Sequence, residues 1–295
     1  MSAAPRSLRR RALPVAAVAL GALGYMLFES QWVRRADVTI AIDELPAGLG
    51  GLTIALLADF HAGFRASLNL RATRRAIDIA RAAHPDLVLI AGDLAGGPAN
   101  LGKLNVMLRR LDAPLGVYAV YGNHDRAHSK VPWSSAVDLS GVEDQGVRLL
   151  VNEVTTVPYR GARVQICGVD DFKHGHTRLD ELEQQLDRRP DTLRLLLSHY
   201  AQAAAGVEPG AFALTLSGDT HGGQICLPTP KGTIMLSQPK AEFKDGLYLR
   251  DGRRIYVTRG VGASLLPLRF LARPEVVVIT LVPGETQATA APASS

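Results

Sequence analysis

Nine side chains in this sequence stand just after short apolar runs and offer oxygen or imidazole nitrogen to a metal ion or a proton. Asp59 and His61 follow Leu52–Ala58, and Asp93 follows Leu87–Ala91. Asn123, His124 and Asp125 follow Val117–Tyr121, His199 follows Leu193–Leu197, and Asp219 and His221 follow Leu214–Leu216. Carboxylate, amide oxygen and imidazole together suit Mn, Fe or Zn, and no thiolate is offered among them. Each piece alone is weak, since Asp-x-His is commonly a turn and Gly-Asp after a strand is commonly a helix cap. Five strand ends that deliver such groups in one order point instead to a metal-dependent site.

The elements that must position these groups are legible as pattern. Leu52–Ala58 (LTIALLA), Leu87–Ala91 and Val117–Tyr121 read as buried strands. Between the first two, Leu68–Ala83 has the apolar spacing of an amphipathic helix, with Ala72, Ala76, Ile79 and Ala83 on one face. Further strands are expected at Val164–Cys167, Leu193–Leu197, Leu214–Leu216, Tyr248–Leu249, Ile255–Thr258 and Val276–Leu281. A βαβ-like first half and a strand-rich second half predict more than one sheet with helices outside. In such α/β architectures the carboxyl ends of the strands are where ligands bind.

Taken together, Asp59-x-His61, Gly92-Asp93, Gly122-Asn123-His124-Asp125, the lone His199 and Gly218-Asp219-Thr220-His221 resemble the signature of the calcineurin-like metallophosphoesterases. That signature runs D-x-H, G-D, G-N-H-[DE], H and G-H-x-H, and the likeness covers about residues 52–282. The stretches Gly218–Pro228 and Tyr256–Leu266 look like a bacterial, membrane-anchored branch that includes enzymes similar to the UDP-2,3-diacylglucosamine diphosphatases of lipid A synthesis. The resemblance implies an α/β four-layer fold, two mixed β-sheets packed as a sandwich flanked by helices. It also implies two divalent metal ions, Mn first, with Mg, Fe or Zn compatible. Asp59, His61 and His221 would hold one, Asn123 and His199 the other, and Asp93 would bridge them. A hydroxide shared by the metals would attack phosphorus in line, with His124 giving a proton to the leaving oxygen and Asp125 orienting His124.

One position departs from the pattern. Asp219 stands where the family usually has the first His of G-H-x-H, so a harder second site is expected, favouring Mn or Mg. The competing readings are a weakened second site and a non-catalytic binding protein. A purple acid phosphatase is disfavoured, because Gly96 occupies the position of that group's Tyr ligand. Of the remaining histidines, His84 reads as a helix-end residue and His128 as loop surface. His174 and His176, with Lys173, read better as contacts to a substrate phosphate than as a third metal site. Arg259 would meet a phosphate or pair with a surface carboxylate.

Charge and apolar patterning bound the partners. Six Arg against Glu29 give residues 1–35 a surplus of five, and 33 Lys and Arg against 28 Asp and Glu give the whole chain the same surplus. The body beyond residue 35 is therefore neutral, which argues against long nucleic acid as a ligand. Cys167 and Cys226 are too few for a disulfide framework or a Cys-based zinc cluster. Arg9-Arg10-Arg11 precede an uncharged run from Ala12 to Phe28, which reads first as a signal-anchor helix, then as a cleaved signal peptide, and last as a buried N-terminal helix of the domain. The expected organisation is an N-terminal transmembrane segment over 1–35, a catalytic domain over 36–282 and a disordered tail over 283–295. The anchor would place the protein in the inner or plasma membrane with its catalytic domain on the outer, periplasmic side. The expected substrate is a phosphorylated small molecule or a lipid-linked nucleotide, and a broad-specificity phosphodiesterase is the alternative.

Overall fold

The computed structural model describes residues 6–63, 68–128, 135–230 and 232–284, with side chains from residue 14 onward. In chain order the first half comprises α1 (Arg6–Gln31), β1 (Arg34–Ile42), β2 (Thr53–Leu57), α2 (Leu68–Ala82), β3 (Leu87–Ile90), α3 (Leu101–Leu108), β4 (Val117–Ala119), α4 (Ser140–Glu143) and β5 (Val147–Leu149). The second half comprises β6 (Glu153–Tyr159), β7 (Ala162–Gly168), α5 (Leu179–Glu183), β8 (Thr192–Leu197), β9 (Leu214–Ser217), β10 (Cys226–Thr229), β11 (Gly232–Met235), β12 (Gly246–Arg250), β13 (Arg253–Val257) and β14 (Glu275–Pro283). Short 3-10 turns follow β7 and β9, at Phe172–His174 and His221–Gly223.

Two six-stranded mixed sheets form, in the orders β1-β14-β2-β3-β4-β5 and β12-β13-β9-β8-β7-β6, and β10 and β11 make a separate hairpin. Strand alternation explains the layering, because successive side chains point to opposite faces. Ile54, Leu56 and Ala58 of the β2 run face the other sheet and join Ile166, Leu195, Leu197 and Leu216 in the central core. Ala55 and Leu57 face the opposite way, onto Ala72, Ala76, Ile77 and Ala80 of α2 and onto Leu104 and Leu108 of α3. Beyond the second sheet, Cys167 and Leu196 pack with Leu182 of α5. The result is the expected sandwich of two mixed sheets with helices outside.

The structure adds strands that the sequence pattern does not mark. β1 is an edge strand that pairs in parallel with β14, residue Arg34 opposite Glu275. Its first six residues alternate between half-buried and exposed, so no apolar run advertises it. Of the disordered tail expected over 283–295, Pro283 instead ends β14, and residues 285–295 lie outside the described residues.

The expected membrane anchor is corrected. No helix among the described residues is long and apolar enough to cross a membrane. The single-pass transmembrane segment, and the inner- or plasma-membrane location derived from it, therefore lose their support. Ala, Gly and Pro supply eight of the 17 residues from Ala12 to Phe28, and such small residues add length without much apolarity. The C-terminal part of α1 is engaged by the domain instead. The buried Glu29 carboxylate accepts the N–H groups of Leu271 at 3.1 Å and Ala272 at 2.8 Å. Arg269 N–H donates to the Met26 carbonyl at 3.2 Å, and Tyr25 meets Phe270 edge-on.

Candidate metal centre

Both sheets present their carboxyl ends on the same side, and the loops there are stitched together. Asp59 N–H donates to the Gly92 carbonyl and His61 N–H to the Asp93 carbonyl, both at 3.0 Å. Gly262 N–H donates to the Asp59 carbonyl at 2.7 Å. Five residues of the site, Asp59, His61, Asp93, Asp219 and His221, have left-handed backbone with φ between 46° and 71°. Such conformations in non-glycine residues cost of the order of 1 kcal/mol and concentrate where a side chain must be aimed. At Gly122 and Gly260 the chain passes so close that any Cβ would collide with the carboxylates of Asp93 and Asp59, respectively.

The aimed side chains converge. His61 Nε2 and His221 Nε2 lie 3.0 Å apart, and Asp93 Oδ2 lies 3.6 Å from the first of them. Asp93 Oδ2 is also 3.4 Å from His199 Nε2, so this one oxygen stands between the two halves of the cluster. His199 Nε2 faces Asn123 Oδ1 at 3.2 Å and Asp219 Oδ1 at 3.7 Å, while its Nδ1 is set by the Ala91 carbonyl at 2.8 Å. Asp59 Oδ1 lies 3.8 Å from His221 Nε2 and 4.0 Å from His199 Nδ1. Asp59, His61, Asp93, His199 and His221 are all buried.

The donor set fits divalent cations on an observation independent of any motif. Both carboxylate oxygens of Asp59 are buried without a hydrogen-bond partner, a costly arrangement for an anion unless a cation shares the space. Without a cation, burial pushes the Asp59 carboxyl up to about 8, with His199 opposing. Burial acts the same way on Asp93, but the imidazoles of His199, His124 and His61 outweigh it and hold this carboxyl below the usual range. Burial disfavours charge on His199, yet Asp93, Asp59 and Asp219 raise it well above its ordinary value. His61 and His221 are driven well down, chiefly by burial.

These directions fix a pH response for the metal-stripped protein, whose melting temperature is expected to fall as pH rises from 6.5 to 8. Over that window Asp59 (about 8), Asp125 (about 7) and the raised His199 keep protons in the folded chain that the unfolded chain gives up. The unfolded state then binds fewer protons, so stability declines with pH. His61, His124 and His221 are held deprotonated in the folded chain and take up protons on unfolding only toward pH 6.5, which flattens that end of the slope, and Asp93 is ionised in both states. Calorimetry in chelator at several pH values checks the slope; a melting temperature that climbs across this window would contradict it.

The other sequence candidates take distinct places. His124 is buried against the His61 ring, its backbone N–H donates to Asp93 Oδ1 at 2.9 Å, and burial lowers its pKa. Asp125 differs from the expectation that it orients His124. Its oxygens accept the backbone N–H groups of Ala95 at 2.8 Å, Gly122 at 2.9 Å and Leu94 at 3.3 Å, which ties the loops after β3 and β4 together. Asp219 turns one oxygen to His199 and the other to Lys173 Nζ at 3.0 Å. Arg259 pairs with Asp245 at 2.8 Å.

Arg269 escaped the sequence reading. It is wholly buried and donates from Nη2 toward His221 Nδ1 at 3.1 Å. Its remaining N–H groups go to the carbonyls of His221, Gly262, Ala272 and Arg259. Burial lowers even this guanidinium, to about 10. Only its fixed fork of five donors satisfies so many carbonyls around one loop.

Comparison with known proteins decides the family. The sequence profile of the calcineurin-like phosphoesterases matches residues 52–233, which carry all nine candidate residues. The chain belongs to that family. This phosphoesterase is 32% identical over 267 residues to the uncharacterised metallophosphoesterase YkuE of Bacillus subtilis, covering 88% of this chain and 90% of YkuE. It is 29% identical over 238 residues to the phosphodiesterase YaeI of Escherichia coli, covering 78% and 82% of the two chains. Among solved structures, the NAD nucleotidase of Haemophilus influenzae aligns with a TM-score of 0.44 at 14% identity, over 70% of this chain and 44% of that one. The phosphoesterase is thus a hydrolase of the metallophosphoesterase kind, with a metal-binding cluster of Asp and His at its strand ends.

Proposed function

We propose that this phosphoesterase cleaves a small phosphodiester with the help of two divalent cations, Mn²⁺ foremost. The observation that carries this reading is the meeting of seven oxygen- and nitrogen-bearing side chains from five strand ends, among them Asp59, whose carboxylate oxygens have no hydrogen-bond partner. Asp59, His61 and His221 would hold one cation, Asn123, His199 and Asp219 the other, with Asp93 between them. Bound there, the cations supply Lewis acidity toward phosphoryl oxygens and lower the pKa of water. Asn123 offers a neutral oxygen and so avoids adding charge beside Asp93. Asp219 offers an anionic oxygen in place of the family's imidazole, which favours Mn²⁺ or Mg²⁺ over softer ions. The name of its relative YaeI, a phosphodiesterase, supports the same substrate class.

His124 is the proton donor to the leaving oxygen. Its burial disfavours the charged ring, and the negative charge of an arriving phosphoryl group reverses that bias when the proton is needed. His124→Asn is expected to cut turnover of bis(p-nitrophenyl) phosphate about 10²-fold or more while leaving bound Mn²⁺ unchanged. Equal losses of metal and of turnover would assign His124 a structural role instead. Absence of any Mn²⁺-dependent hydrolysis would overturn the phosphodiesterase reading.

One observation favours a lipid-linked nucleotide, such as UDP-2,3-diacylglucosamine, as the substrate. Immediately after the His221–Gly223 turn, a cavity of about 400 Å³ is lined by Ile225, Leu236, Leu265 and Leu266, and the three Leu are exposed. An acyl chain fits such a groove. A kcat/KM at least tenfold higher for the acylated nucleotide than for its deacylated form would support this reading, and equal values would remove it.

A further inference from the structure

A second cluster of ligating groups lies outside the metal centre, and we propose that His128, Asp171 and His174 bind a single Zn²⁺ ion. The proposal rests on the Asp171 carboxylate, which is completely buried where β7 hands over to the Phe172–His174 turn. Asp171 Oδ2 is shared by two imidazoles, His128 Nδ1 at 2.8 Å and His174 Nδ1 at 2.7 Å. Its Oδ1 is buried and has no hydrogen-bond partner among the described residues. One oxygen serving two rings while the other serves none is an uneven way to satisfy a buried anion. A cation seated between this carboxylate and a nitrogen of each ring would give the buried negative charge a counter-charge.

The surroundings agree with a metal rather than an anion. The three ligand atoms lie within 4.8 Å of one another. Around a tetrahedral zinc with bonds of about 2.0–2.1 Å, donors stand about 3.3 Å apart, so each of the two oxygen–nitrogen pairs needs to open by only about half an ångström. Asp170 next door is held away by Arg126, whose Nε and Nη2 donate to its two oxygens at 3.1 and 2.7 Å. The ligand set therefore keeps one carboxylate and two imidazoles, a combination that suits zinc and leaves one position open. A phosphate would have to approach the Asp171 carboxylate itself, so the phosphate-contact reading of His174 gives way. Lys173 turns aside to Asp219.

The scaffold is prepared on both sides. Ala127 adopts left-handed backbone, with φ at 60°, and this turns the chain so that His128 N–H donates to the Asn123 carbonyl at 2.8 Å. Gly175, with φ at 77°, ends the turn that carries His174. The exposed His176 ring stacks on His128 with centroids 5.0 Å apart, which restricts the His128 ring.

The test uses the full chain, crystallised with Zn²⁺ and measured on both sides of the zinc absorption edge. Anomalous density is expected within about 2.2 Å of nitrogen atoms of both His128 and His174. Zinc-loaded, desalted protein is expected to hold one fewer zinc per chain when His128 and His174 are both replaced by Ala, with the density at Asp93 retained. Density at Asp93 alone, or an unchanged zinc count in the double variant, would overturn the proposal without touching the phosphodiesterase reading. Density at neither place would overturn it as well.

Discussion

Asp93→Asn is expected to lower Mn²⁺-dependent hydrolysis of bis(p-nitrophenyl) phosphate by about 10³-fold or more. The substitution keeps shape and keeps an oxygen for the His124 N–H, which Asp93 Oδ1 accepts at 2.9 Å. What it removes is the negative charge of the oxygen that stands 3.6 Å from His61 Nε2 and 3.4 Å from His199 Nε2. No other carboxylate oxygen in the described residues has such close contacts to both halves of the cluster, so no neighbour replaces it. Steady-state rates across a Mn²⁺ titration, with circular dichroism to verify folding, measure the effect. A folded variant that keeps a tenth of the wild-type rate at saturating Mn²⁺ would remove Asp93 from the centre of the chemistry.

Arg269→Met is expected to destabilise the fold by about 3–5 kcal/mol. Met matches much of the stem but donates nothing, and the carbonyls of His221, Gly262, Ala272 and Arg259 lose their partner in a site with no exposure. Buried acceptors left unpaired account for most of that cost. The loss also frees the loop that fixes His221, so metal affinity should fall with stability. Urea denaturation with and without Mn²⁺ checks both parts. A destabilisation below about 1 kcal/mol would mean that water or a backbone shift replaces the guanidinium.

The contrast between these two residues shows what a sequence of this kind discloses. Asp93 was visible because a carboxylate directly after an apolar strand is chemically conspicuous, and four other strands ended in carboxylate, amide or imidazole groups. The sandwich was visible for a related reason, since Leu87–Ala91 is a continuous apolar run and Leu52–Ala58 is interrupted only by Thr53, a pattern that suits strands covered on both faces. Arg269 was not visible, because nothing in LPLRFLARP separates a wholly buried guanidinium from the many arginines that face water. β1 was hidden by its position at a sheet edge, where half its side chains face solvent and its partner is β14, over 200 residues away. The apolar N-terminal run misled because its length and charge flanks fit a membrane span, while its small residues and its docking site on Leu271 and Ala272 argue otherwise. Adjacency in sequence pairs Asp125 with His124, but its oxygens accept the backbone N–H groups of two neighbouring loops.

The grip of Glu29 on Leu271 and Ala272 has a mechanical consequence. Those two amides sit two and three residues beyond Arg269, in a short segment that can hardly stretch. The end of the N-terminal helix is thus tied to the domain twice, through Trp32 and Val33 into β1 and through Glu29 into the segment that carries Arg269. The second tie makes the seat of the helix end and the seat of the guanidinium beside His221 parts of one continuous run of chain.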